Sequence, residues 1–96
     1  MKMLMLVYSG PDPQRITSLL DRHGAGGYTE FRDMHGAGST GRREGSRAWP
    51  GKSTLYVSVV PEPQSGVLVD ALREETGRLD AGERLHVAVL PTETFF

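Results

Sequence analysis

The sequence predicts an α+β fold, a four-stranded antiparallel sheet with two helices on one face and a long loop between its second and third strands. Three observations point to it. Segments of strand and helix periodicity follow one another as strand, helix, strand, strand, helix, strand. The two halves of that series are strand–helix–strand units of similar length. Between them lies His35–Lys52, HGAGSTGRREGSRAWPGK, over which neither period can be laid, because recurrent glycine denies it an apolar face and a stiff backbone. A chain of 96 residues is long enough for one modest core and too short for two, so 1–96 reads as a single domain with a flexible loop at about 35–52.

Met3–Val7 is unbroken apolar sequence ending at Ser9-Gly10-Pro11, which suits a central strand buried on both faces. Asp12-Pro13 signals a helix start, the aspartate able to cap free amides and the proline pre-set for the first turn. Ile16, Leu19, Leu20 and His23 then form one helical stripe, and Gly24 ends it. Tyr28–Asp33 alternates as a half-exposed second strand. Ser53–Val60 is a third, with Leu55, Val57 and Val59 on one face and Tyr56, Ser58 and Val60 on the other. Strands flanking one loop should pair as an antiparallel hairpin. Pro61 and Pro63 start the second helix, whose stripe is Leu68, Ala71, Leu72 and Glu75, and Gly77 stands where a helix-ending glycine belongs. After a turn around Asp80-Ala81-Gly82, Leu85–Leu90 alternates as the fourth strand and Pro91 stops it. This order is the ferredoxin-like βαββαβ arrangement. Its bare sheet face is expected to show apolar positions such as Tyr56 and Val60, a reason for self-association, and the tail ends in two phenylalanines that need a docking place.

Composition narrows the functions. A formal net charge of −1 argues against nucleic acid or a membrane as a general partner. The absence of cysteine removes disulfides, thiolate metal sites and cysteine nucleophiles. The first apolar run is too short for a signal-peptide core, and none approaches the roughly 18 residues of a membrane span, so no membrane insertion and a cytoplasmic location are expected. The third strand, STLYVSVV, lacks the glycine–aromatic motif of single-stranded RNA readers of this shape, and the turn after the first strand lacks the arginine of acyl-phosphate hydrolases. Amino-acid-sensing domains of this shape are not excluded by motif. No nucleophile with a base in reach is evident, so the chain is not read as an enzyme.

Two segments carry specific signals. Gly36-Ala37-Gly38 at the loop base offers amides without Cβ bulk, either to cradle phosphate oxygens or simply as a hinge. Thr76-Gly77-Arg78 running on through Gly82-Glu83-Arg84 is either a phosphate-contacting loop or a polar turn with two solvated arginines. The order GAGGYTEFRDMHGAGSTG, a long loop, an apolar strand, a proline-led helix and ETGRLDAGERLHVAVLP resembles the PII-type signal-transduction family and its PII-like relatives. That resemblance implies a homotrimer of ferredoxin-like subunits with a mobile loop, the T-loop, and adenine nucleotides bound in the clefts between neighbours. It implies Gly36, Gly38, Thr76, Gly77, Arg78, Gly82 and Arg84 as ligand contacts, Arg78 and Arg84 replacing the lysines of the family's Thr-Gly-Lys and Gly-Asp-Gly-Lys segments. No cofactor is obligatory on this reading, and ATP, ADP or AMP is the expected effector.

The departures point to a divergent member. Ala81 stands where a glycine is wanted, the basic C-terminal segment of longer members does not follow Phe96, and Ser39 and Thr40 replace the glutamine of nitrogen sensors. No tyrosine lies between His35 and Lys52, so tyrosine modification of that loop is excluded. The loop itself carries Arg42, Arg43, Arg47 and Trp49, side-chain types enriched at the energetic centres of interfaces, and is expected to bind a target protein such as a transporter or an enzyme when the effector sets its conformation. Trp49 folding back on its own domain is the alternative. Two rival readings remain: a metal-binding PII-like protein linked to heavy-metal handling, using His35 and His86, and a small enzyme hydrolysing nucleotides in the cleft with Arg47 or Arg84 stabilising charge.

Overall fold

A computed structural model describes residues 1–25, 27–35 and 53–96, and the backbone of 37–38 and 41–42. The elements are β1 (Lys2–Ser9), α1 (Gln14–Arg22), β2 (Thr29–Met34), β3 (Ala37–Gly38), β4 (Gly41–Arg42), β5 (Ser53–Val60), α2 (Gln64–Thr76) and β6 (Arg84–Pro91). Four of the strands form one sheet in the order β2-β5-β1-β6. Every neighbouring pair is antiparallel, so the expected βαββαβ order, the central place of β1 and the pairing of β2 with β5 are all present. The segment expected to hold no strand departs from that reading in one respect: β3 and β4 pair in a small ladder, Ala37 with Arg42 and Gly38 with Gly41.

Register decides which side chains meet the helices. Leu4, Leu6 and Tyr8 of β1 stand opposite Ser58, Tyr56 and Thr54 of β5 and opposite Val89, Val87 and Leu85 of β6. Residues directly opposite in a ladder share a face, so these side chains line one side of the sheet. Ile16, Leu19 and Leu20 of α1 and Leu68 and Leu72 of α2 join them in the buried core. Tyr56 sits at its centre, its hydroxyl donating to the Pro13 carbonyl at 3.0 Å and its ring meeting Tyr28 edge to face at 6.1 Å between centroids. Ser58, also buried, donates to the Gly27 carbonyl at 2.7 Å, so a polar residue on the helix side costs little.

Three expectations are corrected here. Tyr56 and Val60 are wholly buried beneath the helices, and the open face is made instead by the opposite parity: Met3, Met5 and Val7, Leu55, Val57 and Val59, with Phe31, Ala88 and Leu90 at the flanks. The alternation itself holds, but both parities of β5 are apolar, so it does not say which one the helices cover. For the same reason β1 is fully buried on one face and half-buried on the other. The aspartate cap also differs: Pro13 is the N-cap of α1, with the Arg15 and Ile16 amides donating to the carbonyls of Asp12 and Pro13 at 3.2 and 3.0 Å. Gly24, with φ +66, ends α1 in the left-handed region as expected, whereas Gly77 caps α2 at φ −73, a conformation open to any residue. Of the two terminal phenylalanines, Phe95 borders a cleft with Met3, Tyr28, Val57 and Val59, while Phe96 is fully exposed. No helix among the described residues is long and apolar enough to cross a membrane.

Because Leu68 is fully buried and Val67, its neighbour on α2, is 57% exposed, the two substitutions should separate cleanly. Leu68→Ala is expected to cost about 2–5 kcal/mol in denaturant unfolding and Val67→Ala no more than about 0.5 kcal/mol.

Candidate functional site

Both sequence-nominated segments emerge from the same end of the sheet. Met34 of β2 stands opposite Ser53 of β5, Ser53 continues the ladder to Ser9 of β1, and Ser9 stands opposite Arg84 of β6. A hydrogen bond of 2.6 Å between the Ser9 and Ser53 hydroxyls closes the middle of this row. The bulge that lets β2 reach the row lies between Phe31 and Met34, and Asp33 takes φ +56 there, a value that aspartate tolerates better than most residues. The two ends of the 35–52 segment thus leave from the neighbouring strands β2 and β5, and the loop from α2 to β6 arrives on the far side of β1.

That second loop, Gly77–Glu83, is fixed by a cluster of buried charge. Glu83, only 2% exposed at its side chain, accepts from the Tyr8 hydroxyl at 2.5 Å, from Arg15 Nη1 at 2.9 and 3.1 Å, and from the Asp80 amide at 2.8 Å. Arg15 turns its Nε to the Glu75 carboxylate at 2.7 Å, and the Tyr8 oxygen in turn accepts the Asp12 amide at 3.1 Å. Burial by itself would raise the Glu83 carboxyl, but the bonds from Tyr8, the Asp80 amide and Arg15 outweigh it and hold it below the usual carboxylate range. Burial first, then the hydrogen bond to Glu83, pushes the Tyr8 phenol far above its ordinary value, so it stays the donor. The loop backbone closes on itself as well, the Glu83 amide donating to the Asp80 carbonyl at 3.0 Å. Gly82 occupies the third place of this turn with φ +93, which glycine alone adopts without strain. Ala81 precedes it at the place that needs no positive φ, so the alanine noted as a departure fits.

The nominated residues separate into groups. Thr76 and Gly77 end α2, the Thr76 hydroxyl donating to the Arg73 carbonyl at 2.6 Å. Arg78 is 67% exposed and lies 3.8 Å from Glu74 and 3.7 Å from Glu75, on the helix side of the sheet. Arg84 begins β6 on the open face with Ser9. Gly38 and Arg42 are placed by backbone in the β3–β4 ladder. Gly36, Arg43, Arg47 and Trp49 lie outside the described residues. His35 follows β2 and His86 lies in β6, at opposite edges of the sheet and three strand spacings apart, so one subunit does not bring them together. Among the described residues no group of three or more histidine and carboxylate side chains is arranged to hold a metal ion.

Sequence reasoning passed over Tyr8, Arg15 and Glu83, and placed Glu75 on the buried stripe without giving it a partner. The signal for the last was present: a carboxylate at a core-facing helical position requires a cation. Gly10 is explained only by structure. A Cβ there would lie 2.7 Å from Cζ of the Tyr8 ring and closer still to its hydroxyl, so the turn after β1 must pass over that ring as glycine.

No model of a known protein family matches the chain, and no curated protein matches it. Solved structures do. CPII, a nitrogen regulatory PII-like protein from Thiomonas intermedia K12 bound to ADP, AMP and bicarbonate, is similar with a TM-score of 0.70 and 26% identity over 93% of this chain and 84% of that one. A second structure of CPII, bound to ADP and bicarbonate, gives 0.69 and 27% over the same shares. A protein of Thermus thermophilus assigned to PII-like signalling shares the fold at a TM-score of 0.66 and 23% identity, over 92% of this chain and 82% of its own.

Two outcomes test the buried cluster. Glu83 contributes its stability fully above the ordinary carboxylate pKa and loses it as pH falls through its lower folded-state value. Glu83→Gln should therefore lower stability at neutral pH by about 1.5–3 kcal/mol and flatten the acid side of a stability–pH profile. Gly10→Ala should cost about 1–3 kcal/mol by displacing the Tyr8 ring, read as a fall in denaturation midpoint with no change in the slope.

Proposed function

We propose that the chain is a divergent relative of the PII-like proteins and a small regulatory protein. It binds an adenine nucleotide at the loop end of the sheet and presents its 35–52 segment to a target protein such as a transporter or an enzyme. The observation that carries the reading is the second loop: a turn fixed from behind by Glu83, with Thr76, Gly77 and Arg78 on its near side and Gly82 and Arg84 on its far side. Such a loop is ordered before any ligand arrives, which removes part of the cost of binding. The ADP and AMP bound to CPII support a nucleotide as the effector here, and its bicarbonate supports a second small anion.

Arg78 suits a phosphate partner. Both of its ion pairs are long, and the one to Glu74 is solvent-exposed at both ends, the kind worth about 0–1 kcal/mol, so a phosphate group can displace it, while Glu75 keeps Arg15 as its close partner. The loop base is a different matter. Met34 and Arg84 are separated by three strand spacings, roughly 14 Å, so Gly36 and Gly38 do not close on the same phosphates as Arg84 within one subunit. A cleft between subunits resolves this, the second loop of one copy meeting the loop base of the next. The half-buried apolar face of Met5, Val7, Leu55 and Val57 supplies the surface on which copies would join, and a homotrimer is the assembly we propose. Arg42, Arg43, Arg47 and Trp49 then form the target-binding part of each loop, and the protein acts as a sensor, without catalysis.

Calorimetric titration with ATP, ADP and AMP should show binding of at least one, weakened about 10-fold or more by Arg78→Ala; binding of none removes the nucleotide reading. Sedimentation should give about three times the 10.5 kDa chain mass, and Val57→Asp, which puts a charge on the open face, should reduce it to a single chain.

A further inference from the structure

On the helix side of the sheet, one edge is left incompletely covered. Leu85, Val87 and Val89 of β6 stand opposite Tyr8, Leu6 and Leu4 of β1, and those three are buried beneath the helices. Along β6 the cover runs out: Leu85 is 8% exposed, Val87 is half-buried and Val89 is 45% exposed. The other edge strand meets the same situation with charge, since the residue of β2 opposite Tyr56 is Glu30, ion-paired with Arg32. β6 keeps apolar side chains there instead.

Facing them, α2 presents Val69, Leu72, Arg73 and Thr76, spaced i, i+3, i+4 and i+7 and therefore on one stripe. Strand and stripe are the walls of a groove of about 230 Å³. At the roughly 30 Å³ that a water molecule occupies in the liquid, that volume takes about eight non-hydrogen atoms. Arg73 is the one charged residue of the lining. Among the described residues its side chain makes no hydrogen bond or ion pair, whereas the neighbouring Glu74 pairs with Arg78 and Glu75 with Arg15. The Thr76 hydroxyl donates to the Arg73 carbonyl at 2.6 Å, so its proton is already engaged.

We propose that this groove binds a small monocarboxylate with an unbranched apolar chain of about six carbons, the chain against Val69, Leu72, Val87 and Val89 and the carboxylate on Arg73. A guanidinium is a planar fork that matches a carboxylate with two parallel hydrogen bonds, and one fork matches one negative charge. An anion without the chain leaves the valines in water, and a chain without the anion leaves Arg73 unanswered. The groove contains neither Arg78, Gly82 nor Arg84, so it stands apart from the nucleotide reading. It also lies across the sheet from the apolar face on which copies would join, so joining there does not cover it.

Calorimetric titrations of the whole chain with butanoate, hexanoate, octanoate and hexanol test the site. Burial of two further methylenes should make hexanoate bind about 10-fold more tightly than butanoate, while octanoate, whose end overruns the groove, gains about 2-fold or less over hexanoate. Hexanol should bind about 10-fold more weakly than hexanoate. Arg73→Ala should weaken hexanoate about 10-fold and leave hexanol unchanged, and Val69→Phe, which fills the groove, should weaken both by about 10-fold or more. Val89→Glu, at an exposed position that folding tolerates, should weaken hexanoate and spare hexanol, and Arg78→Ala should change neither. Thermal melts establish that each variant is folded. Methyl resonances of Val69, Val87 and Val89 should shift when hexanoate is added. Absence of hexanoate binding overturns the site. So does binding that keeps rising into octanoate and ignores both Arg73→Ala and Val89→Glu, which is non-specific apolar adsorption, and so do shifts confined to Val57 and Val59 on the other face.

Discussion

A carboxylate taken out of water must be answered by donors, and in this protein the answer to Glu83 determines where four elements meet. Tyr8 comes from the end of β1, Arg15 from the first turns of α1, the Asp80 amide from the second loop, and Glu75 from the far end of α2 through Arg15. None of these contacts is local except that to Asp80. The cluster therefore ties the last turn of the second helix to the start of the first, and the second loop is held by the body of the domain. Without its arginine and tyrosine the glutamate would be too costly to bury, and without the glutamate the arginine would face Glu75 alone.

The sheet adds a second constraint by sorting side chains strictly by parity. Glu83 and Arg84 are neighbours in sequence with opposite fates, one locked beneath the helices and one left on the open face. The same rule places Ser9 beside Arg84 and Tyr8 beside Leu85, so a single strand end feeds both the buried cluster and the open face. Gly10 follows directly because the chain must turn across the tyrosine ring that the buried cluster requires.

Element order, strand pairing and the central place of β1 were legible in the sequence, because each rests on a local period or on a turn residue at its end. The choice between the two faces of β5 was not: Leu55, Val57 and Val59 are as apolar as Tyr56 and Val60, and only the cross-strand register with β1 and the helices decides between them. The β3–β4 ladder was missed because two-residue strands rich in glycine have no period to detect. Of the candidate site, the segment Thr76–Arg84 could be found from its motif and from the resemblance it carries. The residues that hold it in place could not, since Tyr8 and Glu83 are 75 positions apart and nothing in either neighbourhood names the other. Glu75 is the instructive intermediate case. Its place on the buried stripe was plain, and the buried charge required a partner that only the fold identifies as Arg15.

The outer strands carry a consequence of their own. β2 is bent by the bulge at Asp33 and bears Glu30 and Arg32 in an ion pair, while β6 begins with arginine and ends on Pro91, which has no amide to offer a further strand. A straight apolar margin would invite copies to stack indefinitely into fibres; kinked, charged and proline-ended margins refuse that pairing. Growth by edge addition is thereby discouraged at both rims, and the protein can accumulate without polymerising.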